Sequence, residues 1–594
     1  MFCSFPVFIK MHNILIHNAK IWRSGLKKST DKSQFYNWMI FDKLSGKIES
    51  CGKQDDNLPS LRSKVKEEID CKGKWILPGF HDAHIHIRWH GAYLTDHTFL
   101  KVPTSIKQMQ ERLKVMLSDP YNDPTEGNSW FVAYGFEQHV MERYPTAQDL
   151  DEIENQRPLL VYHSSFHIAV LNTVGLKMAD IDENTEIKGG GVDLYPNDHP
   201  LAGKPTGILK EAAIDLVMDF KIPRSSSKIK QAILSALNEC VKLGITSVHC
   251  LDKDVWNEYV ELAKEEKLPI QCFFATFYTD MDTNNKPTKS GETHGSNLSC
   301  RVFSRVEVCK CQICKSTHCQ YLFHRCVKIF ADGALGSDTA ALSLPYPQKD
   351  DNGKDNYGVL YYSQDDLDKM VKEIDSLGYQ LEIHAIGDKA AESAIIAMER
   401  ANITPEKRPI IVHAQLLNLD LIKRMAKLGV IASLQPTNVP ADARYSREKI
   451  SPPLQKCMYP CRSLIDNGVT CAGSSDSPCL FPNTLLGMYD AIFQPDCVKG
   501  QGSFQLKEQV RGQRSFQQGE EVTFSQAVDM YTSDAAYVDF AENSIGRLEP
   551  GYYANFVLLE TPVVNGEIVD LSKYPGRLLD TQVVQTWVRG VRLY

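Results

Sequence analysis

Two histidines near the start of the chain are the first residues whose type and spacing suggest chemistry. His84 and His86 stand two positions apart in an apolar run that follows Pro78 and Gly79. Because alternate side chains of a β-strand share one face, both imidazoles can reach one metal ion, and neutral imidazole is a common zinc ligand. A single pair of this kind is more often incidental, so it gains meaning only from further ligand-type residues elsewhere.

Three more ligand-type residues follow strand-like runs later in the chain. His384 and His413 each end an apolar run, and Asp476 follows the end of another after two serines. Taken singly, each histidine is more simply a core residue with satisfied hydrogen bonds, and Asp476 a turn or helix N-cap residue. Four separate strand ends that carry such groups favour one shared metal site instead.

The alternation of elements explains how these strand ends could meet. Apolar strand-like runs alternate with helical patterns such as residues 227–243, which predicts parallel β/α construction. In an α/β protein with a TIM-like (β/α)8 barrel, the carboxyl ends of all strands lie at one mouth, where active sites are found. The strand-like runs are residues 84–86, 159–162, 245–249, 270–277, 326–330, 381–384, 410–413, 430–434 and 469–473.

These nine runs are one more than the barrel requires. Eight remain if residues from about 88 to 225 form an inserted cap that contains the run at 159–162. A second, Cys-rich insertion is expected at about 278–325, within a barrel that spans residues 79–542. Strand-like runs near both ends of the chain predict a small β-sandwich built from residues 1–78 and 543–594.

Composition excludes several classes of protein. The chain has 594 residues, is 43% hydrophobic and 24% charged, and carries a formal net charge of -8, which argues against a nucleic-acid surface. No apolar run approaches the roughly 20 residues that cross a bilayer, so no membrane partner is expected. Without a signal peptide, the 17 cysteines are expected to be reduced thiols in a cytoplasmic protein. Whether the chain is a monomer or a homo-oligomer stays open.

The order of the motifs resembles the amidohydrolase superfamily, the urease-like metal-dependent hydrolases. Within that superfamily, the chain is similar to the branch that includes N-substituted formamide deformylase. The resemblance implies a barrel flanked by a composite β-sandwich, and it touches most of the chain. It rests on residues 77–86, 327–337, 384–388, 413–415, 473–478 and 545–552.

The resemblance also implies a set of metal ligands and a divalent cofactor, expected to be zinc, as one or two ions. Lys328 lies where many superfamily members carry a carboxylated lysine that bridges two metals, although an ordinary lysine paired with Asp332 is the alternative. Asp476 would contact the metal and act as the general base of catalysis. The implied metal ligands are His84, His86, Lys328, His384, His413 and Asp476.

The inserted region departs from the family pattern. Where relatives usually carry Arg-x-Asp-Gly-His followed by Asn, this chain retains His167 and Asn172 but has Ser165 and Phe166 in place of the Asp and Gly. The resemblance implies that His167 and Asn172 bind substrate, with a structural histidine as the alternative for His167. Residues 205–211 also resemble the family and are expected to border the site. The altered cap suggests a shifted substrate preference.

The function that follows is hydrolysis of a non-peptide C–N bond, in an amide or formamide of a small-molecule substrate, by metal-activated water. The alternative is a catalytically inactive scaffold, whose mark would be lost ligands, and none of the expected ones is missing. A cluster from Cys309 to Cys319 has spacing compatible with structural zinc. A surface loop of reduced thiols is the favoured interpretation of that cluster.

Overall fold

Eight parallel strands form a sheet at the centre of the fold, nearly closed into a barrel, with each strand paired to its neighbour in chain order. The computed structural model describes residues 12–26, 34–53, 58–63, 65–95, 98–100, 102–119, 130–141, 143–187, 190–217, 225–280, 321–349, 353–497 and 511–594. The predicted α/β, TIM-like barrel is therefore confirmed. Its strands are β1 (Phe80–Ile85), β2 (Ile245–Leu251), β3 (Gln271–Phe277), β4 (Leu322–Phe330), β5 (Gln380–Ala385), β6 (Ile410–His413), β7 (Ile431–Leu434) and β8 (Thr470–Gly473).

Amphipathic helices cover the outside of these strands. The helix Ser226–Lys242 is representative, since Ser225 caps its first turn by accepting a hydrogen bond from the Lys228 backbone N–H, and Ile233 and Leu237 are fully buried. The other helices of this part are Trp256–Lys264, Gln364–Ser376, Asp388–Arg400, Leu419–Leu428, Val439–Lys449, Pro452–Gln455, Cys461–Asp466, Thr484–Phe493, Phe524–Met530 and Ser533–Val538. Burial on both faces explains why the strands read as almost continuous apolar runs.

The chain between β1 and β2 forms a separate five-stranded sheet with its own helices. The predicted extra strand, Leu159–His163, pairs here with Phe131–Phe136 and Ile168–Leu171 and lies outside the barrel. Gly190–Leu194 and Pro205–Glu211 complete the sheet. The helices of this region are Ile87–Thr95, Ile106–Leu117, Gln138–Met141, Ala147–Asp151 and Thr173–Met178.

Strands from both ends of the chain share one further core. Phe556–Glu560 pairs with Trp75–Pro78, so a strand near the carboxyl end joins one near the amino end. Ile14, Phe41, Ile76, Phe556 and Trp587 belong to a single buried cluster between the two sheets. The first sheet has the order Lys47–Gly52, Trp38–Asp42, Asn13–His17, Glu67–Asp70, and the second Val591–Arg592, Gln582–Val588, Phe556–Glu560, Trp75–Pro78, Lys20–Trp22, Phe35–Tyr36.

Two expectations concern cysteines and membranes. The cluster from Cys309 to Cys319 lies outside the described residues. Cysteines in the described part of the chain are free thiols, including the buried Cys250, Cys272 and Cys326. No helix among the described residues is long and apolar enough to cross a membrane.

A glycine at a helix crossing provides a test of the packing between the inserted region and the barrel. A Cβ atom on Gly91, in the helix Ile87–Thr95, would lie 1.9 Å from the carbonyl oxygen of Ala232 in Ser226–Lys242. We expect Gly91→Ala to lower the free energy of unfolding by about 1–3 kcal/mol, measured by urea denaturation, because the helices must move apart. Gly191→Ala is the control, since a Cβ there meets nothing within 4 Å. Equal effects of the two substitutions would contradict this packing.

Candidate metal centre

One cavity of about 230 Å³ lies at the carboxyl ends of the barrel strands. The candidate metal ligands that border it come from the ends of β1, β5 and β6 and from the turn after β8, which are distant in sequence. The sequence-predicted residues that the structure brings together here are His84, His86, His384, His413 and Asp476.

Three of these side chains already form a compact ligand set. The Oδ1 atom of Asp476 lies 3.3 Å from Nε2 of His84 and 3.2 Å from Nε2 of His86. One ligand atom from each residue lies within 4.8 Å of the other two. Two imidazole nitrogens and a carboxylate oxygen are a donor set that suits a divalent cation such as zinc.

Hydrogen bonds on the far side of the rings orient the histidines. His86 Nδ1 lies 2.7 Å from the Leu251 carbonyl, and His413 Nδ1 lies 2.8 Å from Oε1 of Gln435. His384 is held instead through Nε2, at 3.0 Å from the Gly333 carbonyl. Such contacts fix the ring tautomer, so the opposite nitrogen is presented as the ligand atom.

The backbone is strained where two of the residues enter the cavity. His413 has φ 74° and Asp476 has φ 55°, both in the left-handed region that L-residues seldom occupy. The backbone N–H of Asp476 donates to the His84 carbonyl at 2.8 Å. This bond joins the end of β1 to the turn after β8 and holds the first and last ligands together.

Electrostatics keep His384 and His413 neutral and the carboxyl group of Asp476 charged. Burial, with the neighbouring His84 and Lys328 adding to it, lowers the pKa of His413 to about 3, and burial beside His413 holds the pKa of His384 well below its usual value. Burial opposes ionisation of Asp476, but the hydrogen bonds from His84 and His86 outweigh it and hold its pKa well below normal. Neutral imidazoles and an ionised carboxylate are the states that bind a metal, so these residues fit the cation that the resemblance implies.

A buried carboxylate that the sequence analysis missed lies beside this set. Glu382 Oε1 is 2.7 Å from the Lys328 ammonium and 3.1 Å from Nδ1 of His84. Glu382 and Lys328 are each only 1% exposed. Glu382 stands two positions before His384 on β5, so the spacing that singled out His84 and His86 would also have identified it. The alternative partner of Lys328, Asp332, instead accepts backbone N–H groups of residues 341, 386 and 387.

The polar contacts of Glu382 continue deeper into the barrel. Its Oε2 lies 2.9 Å from Nε2 of His249, whose Nδ1 lies 2.7 Å from Asp539. Asp539 also lies 3.0 Å from Nε2 of His81. Burial opposes ionisation of Glu382, but Lys328 and His249 hold its pKa well below the usual value. Glu382 is thus the link between the cavity and a chain of buried ionisable side chains beneath it.

The two residues expected to bind substrate have different positions. His167 lines the cavity, with its ring 5.5 Å from that of His384 and its Nδ1 2.7 Å from Oε2 of Glu211, which also borders the cavity. Asn172 does not reach it, because its side-chain oxygen caps the helix Thr173–Met178 and its amide nitrogen donates to two backbone carbonyls. Asn172 therefore holds a turn of the inserted region and does not border the cavity.

Comparison with known proteins agrees with this geometry. The model of the amidohydrolase family matches residues 67–594. YtcJ of Bacillus subtilis (strain 168) is 27% identical over 561 residues, covering 92% of this chain and 94% of the relative. N-substituted formamide deformylase of Arthrobacter pascens is 25% identical over 606 residues, covering 98% and 99%.

A solved structure supports the fold as well. An uncharacterized metal-dependent hydrolase from Pyrococcus horikoshii OT3 has a TM-score of 0.67 and 23% identity, covering 94% of this chain and 100% of that chain. The barrel, the composite sandwich, the cavity at the strand ends and the match over most of the sequence lead to one conclusion: this chain belongs to the amidohydrolase family.

Proposed function

We propose that this protein is a metal-dependent amidohydrolase that cleaves a non-peptide C–N bond, an amide or formamide, of a small molecule. The observation that carries the proposal is the convergence of imidazoles and a carboxylate from four separate strand ends on one cavity. A cavity of about 230 Å³ suits a small molecule. The similarity to N-substituted formamide deformylase adds support for the type of bond.

The residues that would hold the metal are His84, His86, His384, His413 and Asp476. When bound, a divalent cation lowers the pKa of water from about 15.7 toward 7 and polarises a carbonyl group. The chain itself orients the rings through Leu251, Gly333 and Gln435, which limits the reorganisation that binding requires.

Asp476 is the general base in this proposal. Its carboxylate would accept a proton from the attacking water and deliver that proton to the leaving nitrogen. Its location 3.2–3.3 Å from the ligand nitrogens of His84 and His86 puts it beside the place where the water must be activated. The strained backbone at Asp476 is consistent with a side chain that is held for chemistry rather than for packing.

Lys328 was expected as a carboxylated bridge between two metals, and its surroundings favour a different state. Carboxylation would convert the ammonium into an anion and set it against the carboxylate of Glu382, at a contact of 2.7 Å between buried groups. We infer that Lys328 keeps its ammonium and neutralises Glu382, and that the centre holds one metal ion. Protein prepared with ¹³C-bicarbonate should then give no carbamate NMR signal.

The proposal also includes a cellular location, a partner and the identity of the metal. A cytoplasmic location is supported by the free thiols in the described part of the chain, because such thiols persist in a reducing compartment. The partner is the small-molecule substrate, and zinc is the cation that the histidine-rich ligand set favours.

Replacement of the general base tests the proposed mechanism. We expect Asp476→Asn to lower kcat about 10²- to 10⁴-fold on amides that the unchanged protein hydrolyses, because proton transfer is lost. Metal content, measured by mass spectrometry of the purified protein, should remain measurable because the histidines are intact. The matched control is His324→Gln, a buried histidine on β4 that does not line the cavity.

Two results would contradict these roles. Full activity of Asp476→Asn with metal bound would remove the general-base assignment. Stoichiometric metal in the unchanged protein, without turnover of any amide or formamide in a broad panel, would favour the inactive scaffold instead.

The buried pair of Lys328 and Glu382 gives a second test. Lys328→Met and Glu382→Gln should each lower the free energy of unfolding by about 3–5 kcal/mol, because each removes the 2.7 Å contact that compensates the other buried charge. The double variant Lys328→Met/Glu382→Gln should cost less than the sum of the single changes, since both charges are then absent. Urea denaturation of all variants measures this coupling. Strict additivity would mean that the two side chains do not form an ion pair.

A further inference from the structure

Three aromatic side chains form a continuous wall of the cavity. Trp89 and Phe166 have ring centroids 5.5 Å apart, and Tyr162 lies 5.8 Å from each of them. The rings come from the helix Ile87–Thr95, the strand Leu159–His163 and the turn that follows this strand. All three border the cavity that His84, His86 and Asp476 also line.

The wall is supported from behind. Tyr134 stacks on Tyr162 at 5.5 Å with an interplanar angle of 6°, and it lies 5.9 Å from Trp89. Tyr134 is not among the residues that border the cavity. The rings are therefore fixed by packing within the inserted region, so they present a preformed surface rather than one that substrate must assemble.

Phe166 has a backbone conformation that glycine would adopt without strain. Its φ is 62°, and a left-handed conformation at a bulky residue costs about 1–3 kcal/mol. Strain of this size persists where the surrounding structure fixes the residue, and it clusters at ligand sites. The next residue is His167, whose ring contacts that of His384. The phenyl ring is thus held at the border of the metal centre.

The ionic groups of the cavity are engaged with one another. Glu211 accepts from His167, Thr339 and Tyr361. Lys253 lies 3.8 Å from Asp215 and over the ring of Phe277 at 5.8 Å. Because these charges have partners within the protein, the organic part of a substrate is left to the apolar side chains of the cavity. The aromatic wall is the part of that surface formed by the inserted region, and Phe277, Phe330 and Tyr362 belong to the rest.

We propose that Trp89, Tyr162 and Phe166 form a specificity subsite that binds an aromatic ring next to the scissile C–N bond, and that Phe166 sets its size. The proposal rests on the proposed function, because the ring is selected through its attachment to a hydrolysed amide. Aromatic rings pack edge-on or offset against one another and gain about 0.5–1.5 kcal/mol beyond burial of area. A saturated ring of similar size gains the free energy of burial but not the additional contribution from aromatic pairing.

Selectivity between matched substrates is the direct test. The unchanged enzyme should hydrolyse a phenyl-bearing amide with a higher kcat/KM than the cyclohexyl analogue. Phe166→Leu keeps an apolar side chain but removes the ring, so it should lower this ratio about twofold to tenfold. Phe166→Gly should raise kcat/KM for a naphthyl amide relative to the phenyl one, because the cavity widens. Tyr134→Phe is the control, since it keeps the supporting ring and should leave both ratios unchanged.

Binding without turnover separates the subsite from the chemistry. Asp476→Asn should bind the phenyl amide more tightly than the cyclohexyl amide by calorimetry, and adding Phe166→Leu should reduce that difference. Unchanged ratios in Phe166→Leu and Phe166→Gly, with hydrolysis intact, would overturn the subsite and leave the proposed function standing. If the unchanged enzyme hydrolyses no amide, the proposed function fails, and a retained phenyl preference in binding would still support the subsite.

Discussion

The closure of the barrel between its first and last strands is the constraint on which the metal centre depends. The backbone N–H of Asp476 donates to the carbonyl of His84, and that of His86 donates to the carbonyl of Ser477. The Asp82 carboxyl accepts from the backbone N–H of Ser475 at 3.0 Å. These contacts fix the turn after β8 against the end of β1. The carboxylate of Asp476 consequently meets the imidazoles of His84 and His86, which lie far from it in the sequence.

A second constraint is electrostatic and acts in the barrel interior, below the candidate metal ligands. Several ionisable groups occupy the barrel interior, where an unpaired charge is expensive. Glu382 reduces that cost because it contacts Lys328, His249 and His84 at the same time. It therefore links the orientation of a ligand histidine to the charge balance of the core. The arrangement gives the buried lysine of β4 a carboxylate partner.

The sequence predicted the barrel and the convergent residues because both follow from periodic patterns. His84, His384 and His413 end runs whose period and burial are those of parallel strands, and strand ends meet at one mouth. Glu382 was missed although it lies two positions before His384, because the partners of a carboxylate inside an apolar strand lie on other strands. Asn172 lies away from the cavity for a local reason. An Asn followed by a short helix is typical of an N-cap, and a match to a family motif does not reveal that role.

Two structural requirements act on the inserted region, and they favour different residues at position 166. It must bring His167 within reach of the metal centre, which requires a tight turn after Leu159–His163, and it must enclose an apolar space for substrate. A glycine at position 166 would meet the first demand with less strain but would leave the second to other residues. Phenylalanine accepts the left-handed conformation and adds a ring to the wall of Trp89 and Tyr162. The strained backbone at Phe166 thus places an aromatic ring at the border of the cavity, directly before His167 in the chain.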